Sequence, residues 1–323
     1  MIKKYFFIII TITFSSLLPL LLFEFYLKQS TKYPDYETFK YKVNNINYIF
    51  NDNPNDYFNN QDKERILFFG DSFTFGAVCA ENKEDFVNIC KSQVEKESNL
   101  KVFNFAAYAR GPADYLNLYD HFSEKNLKKL IIVLNYNDIT LNIRDCETFK
   151  ELNKIDLFPT VKLCEERLIT KEDRYQGNWI KSVDNFFEHT LLWRVVRNKL
   201  YVFPFLRKYY GSSIIQELYK NKDSEQFLVY LNVLKEIKKK ADKDKIVVDF
   251  VYFPEVIYLK KDNPKIWTLF IDEASKNGIK IKDSWEYFMK HKDSDDMSWS
   301  LTDYHPNCKA HKIMANYILE NII

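Results

Sequence analysis

The chain has 323 residues, 46% of them hydrophobic, which is enough apolar mass for a full core and excludes disorder throughout. Its 47 basic and 45 acidic residues leave a formal net charge of +2, so no one-signed field points to nucleic acid as a partner. The abundance of Lys, Asn, Ile, Tyr and Phe beside scarce Gly fits an AT-rich coding bias and is silent on function.

Lys3 and Lys4 precede an uncharged run from Tyr5 to Phe23 that Glu24 ends. Its length suits a helix crossing a bilayer, and Pro19 is tolerated in such helices. The two lysines set the N-terminus on the cytoplasmic side. Residues 1–28 therefore read as a single-pass membrane anchor, with everything after them periplasmic or at the cell surface. A cleaved signal peptide is the alternative, but Phe23 to Lys32 offers no small-x-small cleavage site. Residues 29–63, rich in Tyr, Asn, Asp and Lys with little apolar periodicity, read as a stalk.

The remainder, 64–323, reads as one domain. Short apolar runs alternate with helical stretches from Arg65 onward, the pattern of a parallel sheet flanked by helices. Expected strands are Ile66 to Phe69, Val102 to Phe105, Leu130 to Leu134, Ile246 to Phe253 and Ile279 to Ile281. Apolar residues at three-to-four spacing predict helices over Glu84 to Glu97, Ala113 to Glu124, Ser224 to Lys239, Lys265 to Lys276 and Cys308 to Leu319. The alternation breaks at about 144–223, an aromatic-rich stretch too long for a plain loop, read as a mostly helical insertion leaning over the carboxyl ends of the strands.

Five cysteines stand at 79, 90, 146, 164 and 308. With no Cys-x-x-Cys and no histidine at zinc-ligand spacing, no metal and no cofactor is expected. One or two disulfides are compatible with an oxidising compartment; Cys146 with Cys164 is the first pair to consider, since both fall in the insertion.

Three strand ends and one loop carry the residues suited to chemistry. The first strand runs into Gly70, Asp71 and Ser72, followed by Phe73, Thr74, Phe75 and Gly76. Glycine permits a tight turn there, and a helix starting just after the serine would aim its unsatisfied N–H groups and positive dipole end at that point. Asp71 or Ser72 merely capping the helix explains the same residues. The second strand empties into Ala106 to Pro112, a small-residue loop whose backbone N–H groups can supply a donor. The third is followed by Asn135, Tyr136, Asn137 and Asp138; an Asn amide here can face a developing oxyanion. Near the C-terminus Asp303, Tyr304, His305, Pro306 and Asn307 place a histidine on a loop beside a carboxylate, a pairing suited to proton transfer near neutrality. His311, inside the following helical pattern, takes a packing or capping role.

In order and in placement at strand ends, these segments resemble the conserved blocks of the SGNH/GDSL hydrolase family, over the chain from about Arg65 onward. The resemblance implies a three-layer α/β sandwich around a mostly parallel, about five-stranded, flavodoxin-like sheet. It implies Ser72 as nucleophile, His305 as base and Asp303 as orienting acid, with Ser72, Ala109 and Asn137 forming the oxyanion hole and Gly70 and Asp71 in support. Three positions depart from the family pattern. Ala109 fills the usual oxyanion glycine slot, Asn135 stands where block three has glycine, and Asp303 lies two rather than three residues before the histidine. The implied activity is hydrolysis of O-acyl esters of an envelope glycan or lipid through an acyl-enzyme. An O-acyltransferase on an envelope polysaccharide, and a non-catalytic glycan-binding protein of the same fold, stand as alternatives.

Overall fold

The structure, a computed structural model, describes residues 19–26, 37–108, 110–123, 126–135, 138, 148, 151, 225–256, 259, 265–291, 297–299 and 305–323. Strands β1 (Phe39–Val43) and β2 (Ile46–Phe50) form an antiparallel hairpin pairing Phe39 with Phe50 and Val43 with Ile46. Its turn residues, Asn44 and Asn45, have φ of 47° and 66°, the positive values that a two-residue hairpin needs and asparagine tolerates. Alternation then sends Val43, Tyr48 and Phe50 into the core. Helix α1 (Pro54–Asn59) starts at the Asn53 cap and buries Tyr57, whose hydroxyl donates to the Phe122 carbonyl at 2.5 Å. The expected stalk is thus, from Phe39 onward, part of the folded body. Its apolar residues are few but most sit at period two, so one face of a short hairpin collects all of them except Ile49.

Five parallel strands form the main sheet: β3 (Arg65–Phe69), β4 (Lys101–Asn104), β5 (Leu127–Leu134), β6 (Val247–Tyr252) and β7 (Ile281–Asp283). Their spatial order is β4-β3-β5-β6-β7. The helices after α1 are α2 (Ser72–Phe75), α3 (Ala77–Ala80), α4 (Phe86–Glu97), α5 (Pro112–Phe122), α6 (Glu225–Asp244), α7 (Lys265–Lys276), α8 (Trp285–His291) and α9 (Cys308–Asn321). One layer is made by α4, α8 and α9. In the other, α5 packs on α6, and Phe270 of α7 meets Phe227 and Tyr230 of α6. Covered on both faces, every residue of β3 is buried, including Arg65, whose guanidinium lies over the Tyr57 ring and donates to the Tyr57 carbonyl.

The strand order is the flavodoxin-like one that was expected. It puts the topological switch point between β3 and β5, where the chain leaves one strand for each side of the sheet and a crevice opens at the carboxyl ends. All five expected strands and five expected helices are present within a few residues of their expected bounds. The hairpin, α1, α3 and α8 were not expected. Of the insertion, only Thr148 and Glu151 fall among the described residues. Most of the expected anchor lies outside them too. Residues 19–26 are helical, with Leu20, Leu21, Leu22, Phe25 and Tyr26 exposed, and among the described residues no helix is long and apolar enough to cross a membrane.

Phe50, fully buried against Phe105 and Phe122, distinguishes a core hairpin from a stalk. Phe50→Ala is expected to cost about 3–5 kcal/mol in urea unfolding; a change within about 0.5 kcal/mol, as at an exposed tether, would contradict this packing.

Candidate active site

Beyond the last residue of β3, Gly70 turns the chain. A Cβ at this position would lie 2.1 Å from Thr74 Oγ1, so only glycine lets the next helical turn fold back so closely. Asp71 then caps α2, its Oδ1 accepting the Phe73 N–H at 2.9 Å. Because Asp71 is the cap, the Ser72 hydroxyl is not needed for that task. Ser72 occupies the first position of α2, where a backbone N–H has no acceptor within its own helix. Helix α2 ends at Gly76, with φ of 68° and Asp85 so near that a Cβ would approach its Cβ to 2.5 Å.

His305 reaches this turn from the other end of the sequence. Its Nε2 lies 2.8 Å from Ser72 Oγ, and its ring packs against Phe73 with centroids 5.3 Å apart. The histidine is held by its backbone on both sides. Its carbonyl accepts the Trp299 N–H at 2.8 Å, and Asn307 donates its N–H to the Met297 carbonyl at 2.8 Å. The Asn307 side chain caps α9 by accepting from Lys309 and Ala310. A disulfide joins Cys79 of α3 to Cys308, the first residue of α9. It fastens the segment that follows Ser72 to the segment that carries His305. Cys90 is free and buried, while Cys146 and Cys164 lie outside the described residues.

The ends of two further strands are fastened by hydrogen bonds, the first of them to the serine turn. At the end of β4, the Asn104 amide donates to the Thr74 carbonyl at 3.2 Å and accepts from Ala106 N–H, and Ala107 donates its N–H to the Gly70 carbonyl at 3.0 Å. After β5, Asp138 folds the chain back on itself: its Oδ2 accepts the Asn135 N–H at 2.7 Å, and its own N–H donates to the Asn135 carbonyl. Tyr115 donates its hydroxyl to Asp138 Oδ1 at 2.7 Å. Burial first, and the neighbouring Asp138 second, raise the Tyr115 pKa far above its ordinary value, so it remains a neutral donor.

Of the sequence-predicted residues, the structure brings Ser72 and His305 together and sets Gly70 and Asp71 in the turn that presents Ser72. Ala109, Asn137 and Asp303 lie outside the described residues, although the neighbours of Asn137, at 135 and 138, are fastened as above. Sequence reasoning missed the anchoring parts played by Asn104, Asn307 and the Cys79–Cys308 pair. Among the described residues, no group of three or more His, Cys, Asp or Glu side chains is arranged to hold a metal ion. An imidazole in contact with a serine hydroxyl can take its proton as the oxygen attacks an electrophile.

His311 serves the frame. It is buried, its Nδ1 accepts the first N–H of α4 from Phe86 at 3.3 Å, and it stacks on the Phe86 ring. Burial first, then the proximity of His305, lower its pKa to about 3.

No family model and no curated protein sequence matches the chain. Among solved structures it is similar to a member of the lipolytic G-D-S-L family from Veillonella parvula, at 14% identity over 80% of this chain and 98% of that one, TM-score 0.40. It is also similar to an acetyl xylan esterase, AlAXEase, at 13% identity over 80% and 100% of the two chains, TM-score 0.42. A catalytic mutant of Axe2, an acetylxylan esterase from Geobacillus stearothermophilus, matches at 14% identity over 80% and 94%, TM-score 0.39.

The buried titratable groups behind the site set a pH response of stability. His311 has a folded pKa of about 3 against an ordinary 6.5, so the unfolded chain binds the extra proton as pH falls through that window, and stability is lost on acidification. Asp85, raised by burial from 3.8 to about 6, works oppositely: the unfolded chain loses its proton first, so this contribution falls as pH rises from 3.8 to 6. His311→Gln removes the first effect and keeps the second. Urea titrations from pH 4 to 6 are expected to show stability rising less steeply with pH in the variant than in the wild type; equal slopes would contradict a neutral, buried His311.

Proposed function

We propose that the chain is a serine-dependent ester hydrolase of the SGNH/GDSL type, with Ser72 as nucleophile and His305 as base. The observation that carries this reading is the 2.8 Å contact between Ser72 Oγ and His305 Nε2, formed at the carboxyl end of β3 beside the switch point of a five-stranded parallel sheet. Substrate esters enter at this crevice. His305 accepts the Ser72 proton as Oγ bonds to the ester carbonyl carbon, and the resulting imidazolium returns the proton to the departing alcohol oxygen as its bond to carbon breaks. Water then gives a proton to the same imidazole as it attacks the acyl carbon, and the acid leaves as the bond to Ser72 Oγ breaks and the imidazolium returns the proton to Oγ. The Ser72 N–H at the first position of α2, the N–H of Ala109 and the amide of Asn137 are the donors for the oxyanion. Asp303 orients the imidazole.

The substrate is an O-acyl ester of an envelope glycan or lipid. A disulfide between Cys79 and Cys308 suits an oxidising compartment, which agrees with a domain held outside the cytoplasm by the apolar N-terminal segment.

Hydrolysis of p-nitrophenyl acetate tests the assignment. Ser72→Ala and His305→Ala are each expected to lower kcat at least about a thousandfold, and the double variant to be about as slow as either single one, because the two groups act as a unit. Activity within tenfold of wild type in Ser72→Ala would refute it.

A further inference from the structure

We propose that a cleft of about 600 Å³ beside the serine turn is the subsite for the carbohydrate part of an acylated glycan. This narrows the glycan-or-lipid substrate above to a glycan, and it rests on that reading. The cleft lies between β2 of the hairpin, Ala107, Tyr108 and Arg110 after β4, and Thr148 with Glu151; its wall also includes Asn47 and Ile49. Its volume is of the order usual for small-ligand sites. Two of its wall residues touch the serine turn. Ala107 is bonded through its N–H to the Gly70 carbonyl, two residues before Ser72, and the Tyr108 ring packs 4.3 Å from the ring of Phe75, three residues after it.

The lining favours a sugar over an acyl chain or an anionic headgroup. Tyr108 is half-buried and fixed against Phe75, offering the kind of rigid aromatic surface on which the C–H face of a pyranose ring rests. On β2, Asn47 and Ile49 share the outward face and both are exposed, so an amide able to donate and accept stands beside an apolar side chain at the rim. Glu151 adds a carboxylate acceptor for hydroxyl groups. Arg110 is the cation of the described lining, and it is already engaged: it donates to the Asn47 carbonyl at 2.6 Å and to Asp114 at 3.3 Å, and it lies over the Tyr48 ring. One engaged guanidinium opposite one carboxylate is a poor trap for phosphate, and alternating polar and apolar residues are a poor channel for an alkyl chain.

The cleft is also built rather than incidental. Asp114, fully buried, accepts from Tyr48 of the hairpin at 2.8 Å, from Thr148 at 3.0 Å and from Arg110, and its other oxygen accepts the Gly111 N–H. One carboxyl group thereby fastens all three walls.

Two measurements on the full-length protein separate the subsite from the chemistry. Ser72→Ala protein, titrated calorimetrically with partially O-acetylated cello- and chito-oligosaccharides, is expected to bind at least one series, and adding Asn47→Ala or Tyr108→Ala is expected to weaken that binding at least tenfold. In the Ser72 enzyme, Asn47→Ala and Glu151→Ala are expected to lower kcat/KM for the acetylated oligosaccharide at least tenfold more than for p-nitrophenyl acetate. Absence of oligosaccharide binding would overturn the proposal, as would binding that these substitutions leave unchanged. So would preference for a monoacylglycerol presented in phosphatidylcholine vesicles. Binding that depends on the cleft residues, in a protein that cleaves no ester, would keep the subsite and remove the hydrolase reading.

Discussion

The contact between Ser72 Oγ and His305 Nε2 joins two residues 233 positions apart, and most of the unusual features of the chain serve to hold it. Closing so long a stretch costs chain entropy that one hydrogen bond of about 1 kcal/mol does not offset. The geometry therefore has to come from elsewhere. On the serine side it comes from β3, buried on both faces, and from Gly70, where a side chain would collide with Thr74. On the histidine side it comes from backbone bonds to residues 297–299 and from the Asn307 cap of α9. The Cys79–Cys308 disulfide joins the two sides directly, and α4 packs against α9 beneath it.

Electrostatics around this contact follow a single pattern: groups that could carry charge are buried close to the site and held neutral or fully hydrogen-bonded. His311 lies behind the turn with its Nδ1 occupied by a helix N–H. Tyr115 and Asp138 tie α5 to the end of β5, and Asp114 ties the hairpin to the start of α5. Burial raises the Asp114 pKa, but four donors surround its carboxyl group. Such networks are costly when half-satisfied and specific when complete. Here they fix the described residues that follow β4 and β5 while leaving the Ser72 hydroxyl to the imidazole.

The sheet was legible because its strands are buried on both faces and therefore appear as unbroken β-branched and aromatic runs, such as Ile131, Ile132 and Val133. Ser72 and His305 were legible because Gly70–Asp71–Ser72 and His305–Pro306–Asn307 pack several constraints into a few residues. The hairpin was not. Its Asn-Asn turn is lost among the many asparagines, and its strands Phe39–Val43 and Ile46–Phe50 place lysines and an asparagine between the inward residues. Helix α8 covers only two turns and buries Trp285 and Phe288, too short a pattern for periodicity to declare. The disulfide was illegible in principle: sequence spacing says nothing about which cysteines meet, and only the fold brings 79 beside 308.

Labelling of the full-length protein with a fluorophosphonate, read by intact mass and by peptide mapping, tests the central claim most directly. The account predicts one adduct, on Ser72, formed rapidly in wild type, slowed at least about a hundredfold in His305→Ala and absent in Ser72→Ala. Labelling at another serine, or labelling of Ser72 at an unchanged rate in His305→Ala, would contradict it.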